Sequence, residues 1–160
     1  IIYIVGFFSF VALLYGYENN GANLAKFYIA FLFLATWGSD IFAYLIGMKF
    51  GKHRFSKISP KKSIEGCIAG VIGGVGLVLI ATVIFNVFFD LGINYLLITI
   101  IGLIITLLGQ IGDFSASCIK RYAEVKDFSN VLPGHGGFID RFDSVIFAAP
   151  FAYYLITLLI

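Results

Sequence analysis

Apolar residues in this chain come in unbroken runs, not in alternation with polar ones. The runs fall at residues 1–15, about 25–48, about 66–89, 95–112 and 144–160. A helix of about 20 apolar residues crosses a hydrocarbon core about 30 Å thick. The later four runs therefore predict membrane-spanning helices, and residues 1–15 read as the tail of another. A membrane β-barrel would need period-2 alternation in segments of about ten residues, and none is present. The expected fold class is an all-α, polytopic transmembrane bundle of about five spans, organised as a single membrane-embedded domain over residues 1–160.

Polar residues gather between these runs. GYENNGAN (16–23) and FDLGIN (89–94) are short connections with Gly, Asn and Asp turn signals. The other two connections are long and charged, at about 49–65 and 113–143. This set of spans places ten Lys and Arg residues (49, 52, 54, 57, 61, 62, 120, 121, 126 and 141) on one side and only Lys26 on the other. Under the positive-inside rule both charged loops face the cytoplasm. The expected location is the cell membrane, multi-pass, with the site on its cytoplasmic face.

Composition sharpens this picture. The 160 residues are 60% hydrophobic and 12% charged, with a mean hydropathy of +0.98. A soluble domain carries roughly 25% charged residues, so that class is excluded, and no nucleic-acid partner is expected. Cys67 and Cys118 have no evident partner and are read as reduced thiols. The first residue is Ile1, with no basic start, short apolar core or cleavage site of a signal peptide. The chain is therefore expected to begin inside a helix, with further spans upstream. Gly66, Gly70 and Gly74 form two overlapping G-x-x-x-G patterns, which predict close helix packing within the chain or between subunits. A homodimer is one expectation from them.

Candidate chemistry sits at the charged end of the spans. Asp40 lies nine residues before Lys49, roughly 13 Å into its helix at 1.5 Å per residue. A carboxylate at the centre of a span costs about 3 kcal/mol to insert, and such residues usually face an internal cavity. If the helix instead ended near Trp37, Asp40 would be merely interfacial. Asp113, Ser117, Lys120, Arg121 and Glu124 follow helical spacing and predict one stripe of a continuous helix leaving the membrane. Arg and Lys there suit phosphate oxygens, although a solvated face would carry the same residues. Leu132-Pro133-Gly134-His135-Gly136-Gly137 is a glycine turn whose N–H groups could cup an anion. It leads into Asp140 and Asp143 on the first turn of the last span, where capping is the bland role. Carboxylates beside Lys and Arg at a lipid interface suit Mg²⁺ held together with substrate phosphates.

The run Ser117-x-Ile119-Lys120-Arg121-x4-Lys126-Asp127-x-Ser129-x2-Leu132-Pro133-x-His135-Gly136-Gly137-Phe138-x-Asp140-Arg141-Phe142-Asp143 resembles the signature of the phosphatidate cytidylyltransferases (CDP-diacylglycerol synthases). Ser59-Pro60-Lys61-Lys62-Ser63-x-Glu65-Gly66 resembles that family's basic loop, and Asp40-x-x-Ala43-Tyr44 with Gly47 its acidic span. The likeness runs from about residue 30 onward, and the family has further spans upstream.

The resemblance implies transfer of CMP from CTP to phosphatidate, giving CDP-diacylglycerol and pyrophosphate in phospholipid biosynthesis. It implies Mg²⁺, with a monovalent cation such as K⁺. In the implied site Asp113 and Asp140 hold the metal, with Asp143 a further ligand or support. Lys120 and Arg121 neutralise phosphate charge and Ser117 hydrogen-bonds on the same face. Lys61 and Lys62 hold the triphosphate, Asp40 lines the cavity or joins the metal, and Lys126, His135, Gly136 and Gly137 contact substrate. An ionised phosphatidate needs no general base. The rival readings are a CTP-dependent lipid (polyprenol) kinase, which the contiguous signature disfavours, and a transporter with Asp40, Asn86 and Gln110 along an ion path.

Overall fold

A computed structural model describes residues 2–16, 22–54, 62–125, 127–129 and 137–159. A π-helical turn, Ile2–Gly6, runs into α1 (Phe7–Tyr15), followed by α2 (Ala22–Phe50), α3 (Ile64–Phe89), α4 (Tyr95–Tyr122) and α5 (Ile139–Leu159). Among the described residues there is no strand, only a bridge between Arg54 and Ser63. Among the described residues four helices are long and apolar enough to cross a membrane, and Ile4–Tyr15 forms a shorter apolar helix. The chain is a polytopic helical membrane bundle.

Helix ends follow local chemistry more closely than hydropathy. Ser63 caps α3 by accepting from the Gly66 N–H at 3.1 Å. Asn94 caps α4 by accepting from Leu96 and Leu97 at 2.9 and 3.2 Å. The return between α3 and α4 turns at Asp90 (φ 49°) and Gly92 (φ 63°). Asn86 pins it, accepting from the Ile93 N–H at 2.9 Å and donating to the Ile93 carbonyl at 3.0 Å. α4 continues ten residues past Gly112, the end that hydropathy suggests. It stops where Glu124 turns left-handed (φ 56°), with Glu124 N–H donating to Arg121 O and Val125 N–H to Lys120 O. This is a Schellman closure. Glu124 is therefore the terminator of the helix and not the last member of its polar stripe.

The closest packing joins α2 to α3. A Cβ on Gly66, Gly70 or Gly74 would lie 2.6–2.8 Å from the carbonyls of Ala43, Ser39 and Ala35 respectively. Two rows with a four-residue step thus run antiparallel and face each other, and the G-x-x-x-G stripe packs within the chain. The glycines no longer argue for a homodimer. Phe27, Phe31 and Leu32 of α2 fill the core against Ile98, Ile101 and Ile105 of α4. α5 joins through Ala148, Ala149 and Ala152, small residues that admit it closely. The outer face of α3 exposes Ile68, Ile72, Ile80, Val87 and Phe88, as lipid contact requires.

This antiparallel order sets the α2–α3 and α4–α5 connections at one end of the bundle, where Lys62 pairs with Asp113.

Candidate active site

Three helices and both charged connections contribute to a cluster of carboxylates and ammonium groups at that end. α2 runs unbroken past Trp37 to Phe50, so Asp40 lies within the helix and not beyond its end. The Trp37 indole N–H reaches across to the Arg141 carbonyl at 3.2 Å and its ring packs on Phe33 and Phe142. This contact locks the start of α5 against α2. Three residues further on, Asp40 Oδ2 accepts from Ser144 Oγ at 3.0 Å. Ser144 is buried, and its N–H donates to its neighbour's Asp143 Oδ1 at 2.8 Å.

α4 supplies the second wall. Gly112 lets α5 approach: a Cβ there would meet the Asp143 carbonyl at 3.1 Å and the Phe147 Cβ at 2.5 Å. The following residue, Asp113, is ion-paired with Lys62 from the α2–α3 connection. Two turns on, Lys120 Nζ lies 2.7 Å from Asp140 Oδ1 and 4.0 Å from Asp143 Oδ2, bridging two carboxylates of α5. It also lies 5.3 Å above the Phe128 ring. Asp140 is nearly buried, and its Oδ2 accepts from the N–H groups of Phe128 and Gly137, both at 3.0 Å. One carboxylate thereby ties two points of the α4–α5 connection to the helix that follows it. A Cβ on Gly137 would come within 2.6–2.9 Å of Ser129 and of Asp140 Oδ2, so only glycine permits this approach.

Asp113 and Asp143 both act electrostatically on Asp40, and Asp113 acts on Asp143. Four carboxylates (Asp40, Asp113, Asp140, Asp143) therefore share one region with the ammonium groups of Lys62 and Lys120. Such a set draws cations, and the two lysines already stand against Asp113 and between Asp140 and Asp143. Among the described residues no three His, Cys, Asp or Glu side chains form a ready-made metal-binding group. The oxygen-only donor chemistry and the surplus of acid nevertheless fit a hard divalent cation.

Of the residues singled out from sequence, Asp40, Lys62, Asp113, Lys120, Gly137, Asp140 and Asp143 come together. Ser117 is half-buried on the same stretch of α4, and Arg121 is exposed near its end. Among the described residues neither side chain takes part in the hydrogen bonds and ion pairs given above for the cluster. Lys61, Lys126, His135 and Gly136 lie outside the described residues. Ser144 was not singled out as a site residue; its place at i+4 from Asp140 was the only signal. Gln110, placed in sequence only on a transporter's path, instead links three helices by donating to Ser39 Oγ and the Cys67 carbonyl, both at 2.9 Å.

An apolar groove of about 660 Å³ lies along α1 and reaches Phe138 and Ile139, the two residues before Asp140. Phe8, Ala12, Ile29, Phe138 and Ile146 line it, and Ser9, a polar member of its wall, is turned back to the Gly6 carbonyl at 2.6 Å.

Known proteins share this sequence pattern. The chain is 38% identical over 162 residues to the phosphatidate cytidylyltransferase of Bacillus subtilis, covering 96% of this chain and 59% of that protein. It is 40% identical over 137 residues to the one from Aquifex aeolicus, covering 84% and 48%. It is 40% identical over 141 residues to the one from Staphylococcus aureus strain COL, covering 88% and 52%. The chain thus spans about half the length of the curated relatives it matches. The model of the cytidylyltransferase family matches residues 1–159, and this chain therefore belongs to the cytidylyltransferase family.

Proposed function

We propose that this chain carries the catalytic end of a phosphatidate cytidylyltransferase, which transfers CMP from CTP to phosphatidate and releases pyrophosphate. A phosphate oxygen of the lipid attacks the α-phosphorus of CTP in line. The α–β phosphoanhydride bond breaks and its electron pair leaves with pyrophosphate. The observation that carries this reading is the meeting of the two charged connections, Lys62 on Asp113 and Lys120 between Asp140 and Asp143.

Both reactants are polyanions, so catalysis of such a transfer is mostly positioning and charge stabilisation. Lys62, with Lys61 beside it in sequence, neutralises the triphosphate from the α2–α3 side. Lys120 and Arg121 do so from α4, with Ser117 as a hydroxyl donor on the same helix. His135, Gly136 and Gly137, with Lys126 ahead of them in sequence, are assigned to substrate phosphates on the family signature alone. Asp113, Asp140 and Asp143 would hold Mg²⁺, and Asp40 borders the same acid cluster. When bound, a divalent cation would supply Lewis-acid stabilisation of phosphate charge. Lys62 and Lys120, which stand against Asp113 and between Asp140 and Asp143, are the ammonium groups placed to turn toward the phosphates. The phosphatidate is already ionised, so no base need remove a proton. The bundle end with both connections carries nearly all the Lys and Arg, which supports a cytoplasmic orientation.

The test uses protein in liposomes with labelled CTP and phosphatidate, the products being identified. CDP-diacylglycerol with pyrophosphate is expected; CDP with a phosphorylated lipid would mark a kinase instead. Asp140→Asn and Lys120→Ala should each lower transfer by about tenfold to a hundredfold or more, the range for lost charge-stabilising donors and metal supports. Near-unchanged rates in both variants would remove this assignment.

A further inference from the structure

Lys62, at the end of the α2–α3 connection, pairs with Asp113, and three residues on, Glu65 lies in the first turn of α3. The α2–α3 connection closes at its base. The Glu65 carboxylate accepts from the His53 main-chain N–H with both oxygens, at 3.2 and 3.3 Å, and lies 2.6 Å from His53 Nδ1. The Ile64 N–H returns to the His53 carbonyl at 3.0 Å, and Arg54 bridges to Ser63. One side chain therefore engages both the main chain and the ring of a residue twelve positions earlier.

The ground below is closely packed. A Cβ on Gly47 or Gly51 would fall 3.0 or 2.5 Å from Ser63 Oγ, and one on Gly66 would fall 2.6 Å from the Ala43 carbonyl. Ser63 is buried and caps α3. Lys62 is the residue immediately before that cap. Its main chain is thus fixed by pairings on its C-terminal side, and its ammonium group is fixed by Asp113.

We propose that Glu65 is a positioning residue that staples the base of this loop and so aims Lys62 into the acid cluster. The inference rests on the functional reading above, because the purpose of aiming Lys62 is to receive the triphosphate. Glu65 itself does not touch substrate. Its carboxylate is engaged by the main chain and ring of His53. Loss of the staple lets Lys62 sample many directions, and misplacement of a binding group by about 1 Å can cost as much as a hundredfold.

Two readouts test the proposal, one independent of turnover. The first is the acylation rate of Lys62 by an amine-reactive ester, read by peptide mass spectrometry against exposed Lys52. In Glu65→Ala the Lys62 rate should rise severalfold toward that of Lys52, as it should in Asp113→Asn. His53→Ala, which leaves the main-chain N–H donor in place, should give a smaller rise, and Glu65→Gln should restore part of the protection. The second readout is CTP kinetics. Glu65→Ala should raise KM for CTP by about tenfold with less change in kcat, and should add nothing in a Lys62→Ala background. If Glu65→Ala fails to fold, His53→Ala and Glu65→Gln carry the same labelling comparison. Unchanged Lys62 labelling in the folded variants, or additive effects with Lys62→Ala, overturns the proposal. Altered labelling in a protein that performs no cytidylyl transfer at all would leave the staple standing and defeat the functional reading instead.

Discussion

The α2–α3 contact makes a sharp quantitative prediction, because two glycines six residues apart on one helix meet opposite surroundings. A Cβ on Gly70 would lie 2.7 Å from the Ser39 carbonyl, 2.8 Å from Gln110 Nε2 and 3.0 Å from the Ala43 Cβ. Two of those three neighbours are backbone or a first side-chain carbon and cannot move without moving α2. The third is the amide that joins Ser39 and Cys67. A Cβ on Gly76 would meet nothing within 4 Å.

Alanine is favoured over glycine in a helix interior by about 1 kcal/mol at either position. At Gly70 this gain is opposed by overpacking of about 1–3 kcal/mol. Displacement of Gln110 loses hydrogen bonds averaging about 0.6 kcal/mol each between membrane helices. Gly70→Ala should therefore lower stability by about 1–3 kcal/mol, whereas Gly76→Ala should be neutral or stabilising by up to about 1 kcal/mol. Reversible unfolding in mixed micelles with increasing SDS fraction measures both. Stabilities agreeing within about 0.5 kcal/mol, below the separation these terms require, would refute the described helix spacing.

Further outcomes follow from single contacts. Asn86→Leu keeps size but removes both bonds to Ile93; it should cost about 1–3 kcal/mol, each net bond being worth about 0.5–1.5, and speed amide exchange at Ile93. Ser63→Ala removes the α3 cap, with a loss of about 1 kcal/mol and a rise in KM for CTP through the attached Lys62. Trp37→Phe keeps the ring packing but loses the bond to the Arg141 carbonyl, costing about 1 kcal/mol in thermal stability with little change in KM.

Much of this arrangement was legible in the chain because a bilayer leaves few options. Unbroken apolar runs can only be helices or buried, and the Lys and Arg distribution divides the connections between two ends. The extents of α2 and α3 agree with their apolar runs to within three residues. α4 and α5 do not, since helix geometry continues wherever hydrogen bonding allows, into Asp113–Tyr122 and back to Ile139. Hydropathy reports the lipid boundary, not the end of the helix. Similarly, Gly66, Gly70 and Gly74 announce a close contact without naming the partner; the carbonyls of Ala35, Ser39 and Ala43 name it only once the fold is known. Asp40 and Ser144 are 104 positions apart. No local pattern connects them, so their pairing is a product of tertiary structure alone.

That pairing gives the acid cluster a testable conflict between stability and function. Asp40 sits in α2 with the hydroxyl donor Ser144, and with the charges of Asp113, Asp143 and, in the opposite sense, Lys62 acting on it. Insertion of a charged Asp in mid-helix is unfavourable by about 3 kcal/mol, and like charges nearby add to the strain. Asn at this position retains an oxygen to accept from Ser144 while removing the charge. If the carboxylate is present for its charge and not for packing, Asp40→Asn should raise resistance to SDS unfolding by about 1 kcal/mol or more, a part of that insertion term. It should also reduce cytidylyl transfer sharply. Ser144→Ala, which leaves the carboxylate without its donor, should act oppositely on stability, lowering it by about 1–3 kcal/mol. A destabilised Asp40→Asn would mean that the carboxylate is held by more than the contacts seen, and that its place in the cluster is structural.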